Sequence, residues 1–472
     1  MFEFLGESKI LLRRFIRFLL DHPVWASFIC ALTARIAFFL ITTLVSDGVL
    51  IPDESQYLNL ALLASLGLLD ETTWSGYGMD LAWDTATFFW PIVAIFEIFG
   101  PSRSVSILFV AFFGSLTAAL TAAIANQFLQ KPYVLGAGLI VAFFPSQILW
   151  SSVVLRESLI WAFTASVVLV IVISLKKSVS IDIIFSALFV GLLFVGLAGL
   201  RHQTAILVLW CAVLAFIGSR QRRLLRIICA TCLFVFLPWC LGFGPGAINY
   251  ALDSLERTGT VQAQTSLNAN SSFDYFGSDD DYFGSDEWGR VNLKEWDTTG
   301  KPVSQCTDLM LGDDFSSQRT DWFEREAGDL VCVANFDGGV MIVDNRFGSV
   351  IERIPKGLYN TMVRPLLFED FGTGRSRALL AASLEFPIWM VLYCLAIYGF
   401  WRFKNFGGHM SFPFFFIVAI ALSGAMTHGN LGTAFRHRGQ VLFALSLFAM
   451  CGLQVLNDRR SAISTSVRSN YE

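Results

Sequence analysis

An all-α polytopic membrane protein is the fold class this sequence predicts, and three observations carry it. Of its 472 residues, 54% are hydrophobic and only 15% are charged, well outside the globular norm. The apolar residues gather into runs long enough to cross a bilayer, at roughly 20 residues per helical span. The basic clusters Lys176 with Lys177, Arg220 to Arg226, Arg402 with Lys404, and Arg459 with Arg460 fall where successive loops return to one side, as the positive-inside rule requires of cytoplasmic loops.

Taken in order, residues 1 to 21 carry Lys9, Arg13, Arg14 and Arg17 among apolar neighbours, which suits a helix lying on an anionic leaflet. The first span follows at about Val24 to Val45, too long for the apolar core of a signal peptide, so no cleaved leader is expected. From Ile36 to Ser102 there is no Lys or Arg, while Asp47, Asp53, Glu54, Asp70, Glu71, Asp80, Asp84 and Glu97 accumulate. This loop, 46 to 104, is therefore expected outside. Its apolar piece Phe88 to Gly100 contains Pro91 and Glu97 and is too short to span, so it reads as interfacial or re-entrant.

Further spans are expected at about 105 to 128, 133 to 150, 158 to 175, 180 to 200, 203 to 218, 226 to 243, 383 to 401, 411 to 427 and 438 to 455. With these, every basic cluster is cytoplasmic, giving about ten spans with both termini inside. The chain divides into an N-terminal membrane module (1 to 243), an outer loop or small domain (244 to 382) and a C-terminal membrane module (383 to 472). The outer loop repeats DYFGSD at Asp274 and Asp281; it lacks EF-hand spacing and reads as a flexible acidic stretch, with Ca²⁺ binding or sugar stacking as the alternatives. Its later half, from Phe336, is less polar and is expected to return to the membrane as interfacial helices carrying Lys356 and Arg364. Asn270-Ser271-Ser272 is a glycosylation sequon.

Composition excludes some classes. Lys and Arg mark loop ends and form no basic face, so no nucleic-acid partner is expected; membrane lipids are. Seven of the nine cysteines lie in or beside apolar spans, and Cys306 and Cys332 share the outer loop, where a disulfide and two free thiols both remain open. No His/Cys/carboxylate set has zinc spacing, so no metal is expected.

The chemistry-bearing residues collect at one expected rim. Asp53 and Glu54 stand at the mouth of the first span in IPDESQYLNL; Pro-Asp-Glu is also how an ordinary helix begins, with acids at the positive end of its dipole. Arg156 with Glu157, Arg201 with His202, and Arg436, His437 and Arg438 lie at outer span ends, where charge usually faces a cavity or a partner. Structural alternatives stand beside some of these: neighbour pairing for Arg156 and Glu157, snorkelling to headgroups for Arg201 and His202, and a glycine-turn role for the nearby His428. The outer-facing triplet opposes the usual charge bias, which favours a phosphate role for it. Acids opposite arginines suit transfer from a lipid phosphate. The leaving phosphate gains charge that a planar guanidinium fork stabilises, while a carboxylate takes the proton of the attacking hydroxyl.

PDESQYLNLA after the first span resembles the first-loop acidic motif of the GT-C glycosyltransferases, especially the lipid A aminoarabinose transferase and protein O-mannosyltransferase group. FFWPIVAIFEIFGPS, FFPSQILWSSVVLRESLIW, IPKGLYNTMVRPLLFE and NLGTAFRHRGQVLFAL resemble stretches of that group or of bacterial membrane proteins associated with surface polysaccharides. The resemblance implies a GT-C fold in a bacterial inner or plasma membrane, with catalytic loops facing the periplasm or exterior. It implies an inverting transfer from a polyprenyl-phosphate sugar donor to a glycan or lipid acceptor. Asp53 matches the catalytic aspartate, and Asp80 or Asp84 a second acid; no lysine follows them, so Arg156, Arg201 or Arg436 would replace that phosphate contact. The group generally uses no metal, though some GT-C enzymes bind a divalent cation at the first-loop acid. The rival classes are a lipid-linked oligosaccharide polymerase or ligase, in which Asp53 is dispensable, a transporter or flippase, with charges and broken helices near mid-membrane, and a non-catalytic scaffold.

Overall fold

The computed structural model describes residues 17–45, 52–68, 85–176, 183–219, 228, 302–305, 320–324, 330–336, 339–344, 354–355, 357–359, 361–364, 366, 384–402, 410–427 and 431–469, some of them, including His202 and the strands, by backbone alone. Asp80, Asp84, Lys356, Cys306, His428, the DYFGSD repeat and most of the span expected at 226 to 243 lie outside the described residues.

The described chain is mostly helical, as the composition predicts for a membrane protein. Its helices are α1 (Pro23–Val45), α2 (Pro52–Ser65), α3 (Ala86–Phe99), α4 (Arg103–Ala125), α5 (Lys131–Phe143), α6 (Pro145–Trp150), α7 (Glu157–Lys176), α8 (Ile183–Ala198) and α9 (His202–Ser219). The C-terminal part adds α10 (Phe386–Arg402), α11 (Ser411–Thr427), α12 (Leu431–Arg438) and α13 (Leu442–Ser469). Among the described residues three helical stretches are long and apolar enough to cross a membrane: Pro23–Leu44, Arg103–Ala125 and Phe435–Ser461. The remaining apolar helices are shorter. Their apolar side chains are not all turned inward: Trp25, Ile29, Ile41, Leu44, Phe185, Leu192, Trp210 and Trp401 are exposed, a surface that water would penalise and lipid tails would not.

Two compact units divide the chain. The first comprises Met1–Leu241, Pro387–Ile420 and Gly439–Glu472; the second comprises Gly242–Phe386 and Ala421–Arg438. In the first, α1 packs against α4 and α5, α4 against α5 and α7, and α13 against α5. Small residues permit the closest crossings. A Cβ on Gly138 would lie 2.6 Å from Ser27 Cβ, between α5 and α1. Gly399 of α10 and Gly452 of α13 face each other so closely that a Cβ on Gly399 would meet the Gly452 nitrogen at 2.8 Å, the packing that takes over where water supplies no hydrophobic drive between helices.

Contacts between helix ends show which termini share an end of this unit. At one end Lys131 Nζ donates to Asp21 Oδ1 at 3.0 Å and the Gln130 amide to Gln454 Oε1 at 3.1 Å. At the other, Thr87 N–H donates to Gly199 O at 3.1 Å and Gln147 Nε2 to Gly439 O at 2.9 Å. Each pair joins residues the charge pattern assigns to one side. Both ends of α3 meet the second end, its first turn through Thr87 and its last through the short Gly100-Pro101-Ser102 link to α4. At 14 residues it is about 21 Å long. It buries Phe88, Phe89, Ile92, Val93 and Phe96 and exposes Trp90, Ile98 and Phe99.

The stretch expected as one span at 133 to 150 is broken. Phe144 leaves the helix at φ −67°, ψ 122°, because Pro145 lacks an N–H and pushes the residue before it toward extended geometry. After α6 the chain runs irregularly through Ser151, Ser152, Val153, Val154 and Leu155, all buried. Irregular backbone at such a place must find its partners within the protein.

The second unit holds a sheet that the sequence analysis did not anticipate. Strands β1 (Pro302–Gln305), β2 (Thr320–Glu324), β3 (Leu330–Phe336) and β4 (Gly339–Asp344) form an antiparallel meander in that order. The pairing of Phe336 with Gly339 leaves Asp337 and Gly338 between β3 and β4, a dipeptide favoured in two-residue hairpin turns. Val, Ile and aromatic residues favour the pleated geometry. The residues after Phe336, expected as interfacial helix, therefore begin as a hairpin.

Candidate functional site

Helix α2 decides the roles of the two adjacent acids. Residues 54, 57 and 61 share one face at helical spacing, and Glu54, Tyr57 and Ala61 are buried; the Tyr57 ring meets Phe88 of α3 edge-on with centroids 5.0 Å apart. Asp53, about 100° around the helix from Glu54, is only partly buried.

Glu54 is fully enclosed and fully committed. Arg103 Nε donates to Glu54 Oε1 at 2.9 Å and Arg103 Nη2 to Glu54 Oε2 at 3.1 Å, the parallel two-bond geometry in which guanidinium matches carboxylate best. The Val154 amide adds a third donor to Oε1 at 3.3 Å. The Glu54 side chain is 0% exposed and that of Arg103 is 25%. Arg103 opens α4, whose N-cap Ser102 accepts from the Val105 amide. One carboxylate thus joins α2, α4 and the irregular segment before α7.

The basic residues at this end divide in the same way. Arg201 Nη2 donates to Glu157 Oε1 at 3.2 Å, with side chains 9% and 1% exposed, so this pair ties the turn before α9 to the start of α7. Arg156 Nη1 donates to Leu200 O at 3.0 Å. Among the described residues Arg156 has no carboxylate partner, and it is only partly buried. Glu54, Arg103, Arg156, Glu157 and Arg201 thus share one end of the first unit, where their contacts join α2, α4, the chain before α7 and the turn before α9; Asp53 precedes Glu54 in the first turn of α2. His202 opens α9, but its side chain is not among those described.

The basic triplet of α12 lies in the second unit. Arg438 is 1% exposed and Nη1 donates to Met362 O at 3.1 Å and Arg364 O at 3.0 Å, with its guanidinium carbon 4.9 Å from the Phe435 ring centroid. It acts there as a bridge to backbone carbonyls and an aromatic face. Arg436 and His437 are half-buried beside it. Among the described residues no three His, Cys, Asp or Glu side chains gather as metal ligands.

Two residues of consequence escaped the sequence analysis. Arg103 is the first base after the acid-rich run, at an expected outer span end; that breach of the positive-inside pattern is the signal that would have found it. Arg35 lies inside α1 and is 0% exposed; a lone arginine well inside an apolar span is itself the signal. No family model matches this chain, and no curated protein matches it significantly.

Proposed function

We propose that this protein is an integral-membrane glycosyltransferase of GT-C type, with about ten spans, that moves a sugar from a polyprenyl-phosphate donor to an extracytoplasmic glycan or lipid acceptor with inversion. The observation that carries the proposal is the division of labour at one end of the first unit. Glu54 and Glu157 neutralise Arg103 and Arg201, while among the described residues Arg156 bonds a backbone carbonyl and no carboxylate, and Asp53, next to Glu54 at the start of α2, is partly exposed. The absence of Lys and Arg from Ile36 to Ser102 supports an outward orientation for that end, in a bacterial inner or plasma membrane.

The chemistry is a single displacement. Asp53 accepts the proton of an acceptor hydroxyl as its oxygen bonds to the anomeric carbon, and the bond from that carbon to the phosphate oxygen breaks on the opposite face. Polyprenyl phosphate leaves with the electron pair, and Arg156 stabilises the charge it gains. Glu54 holds α2 through Arg103, and the Arg201–Glu157 pair holds the floor on which Arg156 rests. Within the first unit, Asp84 and His202 are the remaining candidates for donor contact.

Arg156→Gln is expected to weaken binding of polyprenyl phosphate about tenfold or more, while binding of the uncharged polyprenol is unchanged; Arg156→Lys falls between because it keeps charge and loses the fork. Native mass spectrometry of the purified protein with both lipids measures this. Equal loss for both lipids, or none for either, removes Arg156 as the phosphate ligand.

A transporter or flippase is the second reading, and the break at Phe144 together with a buried arginine inside α1 favours it. It predicts passage of a lipid-linked sugar across the bilayer with no release of polyprenyl phosphate. The polymerase or ligase alternative predicts a lipid pyrophosphate as leaving group.

A further inference from the structure

Arg35 lies twelve residues into α1 and Ala142 eleven residues into α5, about 18 Å and 17 Å from the helix starts at 1.5 Å per residue. Asp21 and Lys131 pair just at those starts, so the two residues meet at similar depth, near the middle of a hydrocarbon core about 30 Å thick. There α5 breaks, and the carbonyls of its last turn lose their helical partners where no water replaces them.

The Arg35 side chain spans the break. Nη1 donates to Ala142 O at 3.2 Å and to Ala31 O at 3.0 Å, and Nε donates to Ser151 Oγ at 2.6 Å. Ser151 Oγ in turn bonds Gln147 O, and Ser152 Oγ donates back to Arg35 O at 3.4 Å. No carboxylate pairs with Arg35 among the described residues. Its charge instead faces the carbonyl end of α5, the negative pole of that helix. Gly114 closes the arrangement, since a Cβ there would lie 2.7 Å from Arg35 Nε and 2.5 Å from Ser151 Cβ.

We propose that Arg35 is a positioning residue, a mid-membrane splint that fixes the segment 151–157, irregular up to the first residue of α7, by joining its start to the broken end of α5. From that segment the Val154 amide reaches Glu54, Arg156 reaches Leu200 and Glu157 reaches Arg201. The splint thereby sets the distance between the acidic and basic sides of the candidate site. Its consequence for turnover rests on the glycosyltransferase reading; its consequence for local structure does not.

Hydrogen exchange read by mass spectrometry on the full-length protein in nanodiscs tests it. Arg35→Lys keeps the charge but cannot span both partners, and Gly114→Ala keeps Arg35 but crowds its bond to Ser151. Both are expected to speed exchange of the 151–157 amides about tenfold or more, with α4 amides outside the Gly114 turn at the wild-type rate. Sugar transfer is expected to fall in the same variants. Where the lysine variant does not fold, the Gly114→Ala result decides. Wild-type exchange across 151–157, or acceleration spread equally over α4, overturns the proposal. If the wild-type protein shows no transfer yet the local acceleration appears, the functional reading fails and the splint stands.

Discussion

Asp53→Asn is expected to leave the protein as abundant as wild type and to lower sugar transfer by roughly 10²- to 10⁴-fold, the range for loss of a positioned general base. The substitution is nearly isosteric and falls off the buried face of α2, which Glu54, Tyr57 and Ala61 occupy. Folding therefore has little reason to change. Donor binding has little reason to change either, because the phosphate is assigned to Arg156; the loss should appear in kcat, with KM for the lipid donor held. Initial rates at saturating donor, normalised to folded protein, make the comparison. Activity within about threefold of wild type would remove Asp53 as the base.

Breaking the neighbouring ion pair should have the opposite signature. Glu54→Ala strands the Arg103 guanidinium and the Val154 amide in a site where the carboxylate was 0% exposed, and loss of one partner of a buried pair costs about 3–5 kcal/mol. Arg103 keeps a quarter of its side-chain exposure and recovers some hydration, which places the expected loss near the lower bound. A double-mutant cycle with Glu54→Gln and Arg103→Gln, followed by denaturant titration in bicelles, isolates the pair. A coupling energy of at least about 1.5 kcal/mol is expected for a two-bond contact of this kind. Additive effects would mean that the pair does not hold α2 to α4.

The contrast between these acids was not legible in the sequence. Asp53 and Glu54 are adjacent, and either could serve as a base; only the face of α2 on which Tyr57 and Ala61 lie separates them. The dipeptide also fitted an ordinary helix start, and Glu54 combines the two roles, sitting in the first turn while gripping another helix. Membrane character and the sharing of helix ends were legible because charge bias and apolar run length act locally. The break at Phe144 was partly legible through Pro145, yet an apolar run continuing on both sides hid it. The Arg201–Glu157 pair was not, because its members stand 44 positions apart in the chain. The meander from Pro302 to Asp344 was obscured by the acidic composition around it, although the short apolar, valine-rich runs LVCVANF and GVMIVD meet at an Asp-Gly turn signal.

A glycosyltransferase of this kind must split a lipid-phosphate sugar in its wild-type form. Purified protein in nanodiscs, given a polyprenyl-phosphate sugar and an acceptor extract from the native envelope, is expected to release polyprenyl phosphate in step with a glycosylated product of inverted anomeric configuration. Donor that stays intact, or moves to the opposite leaflet of sealed vesicles still bearing its sugar, would contradict it.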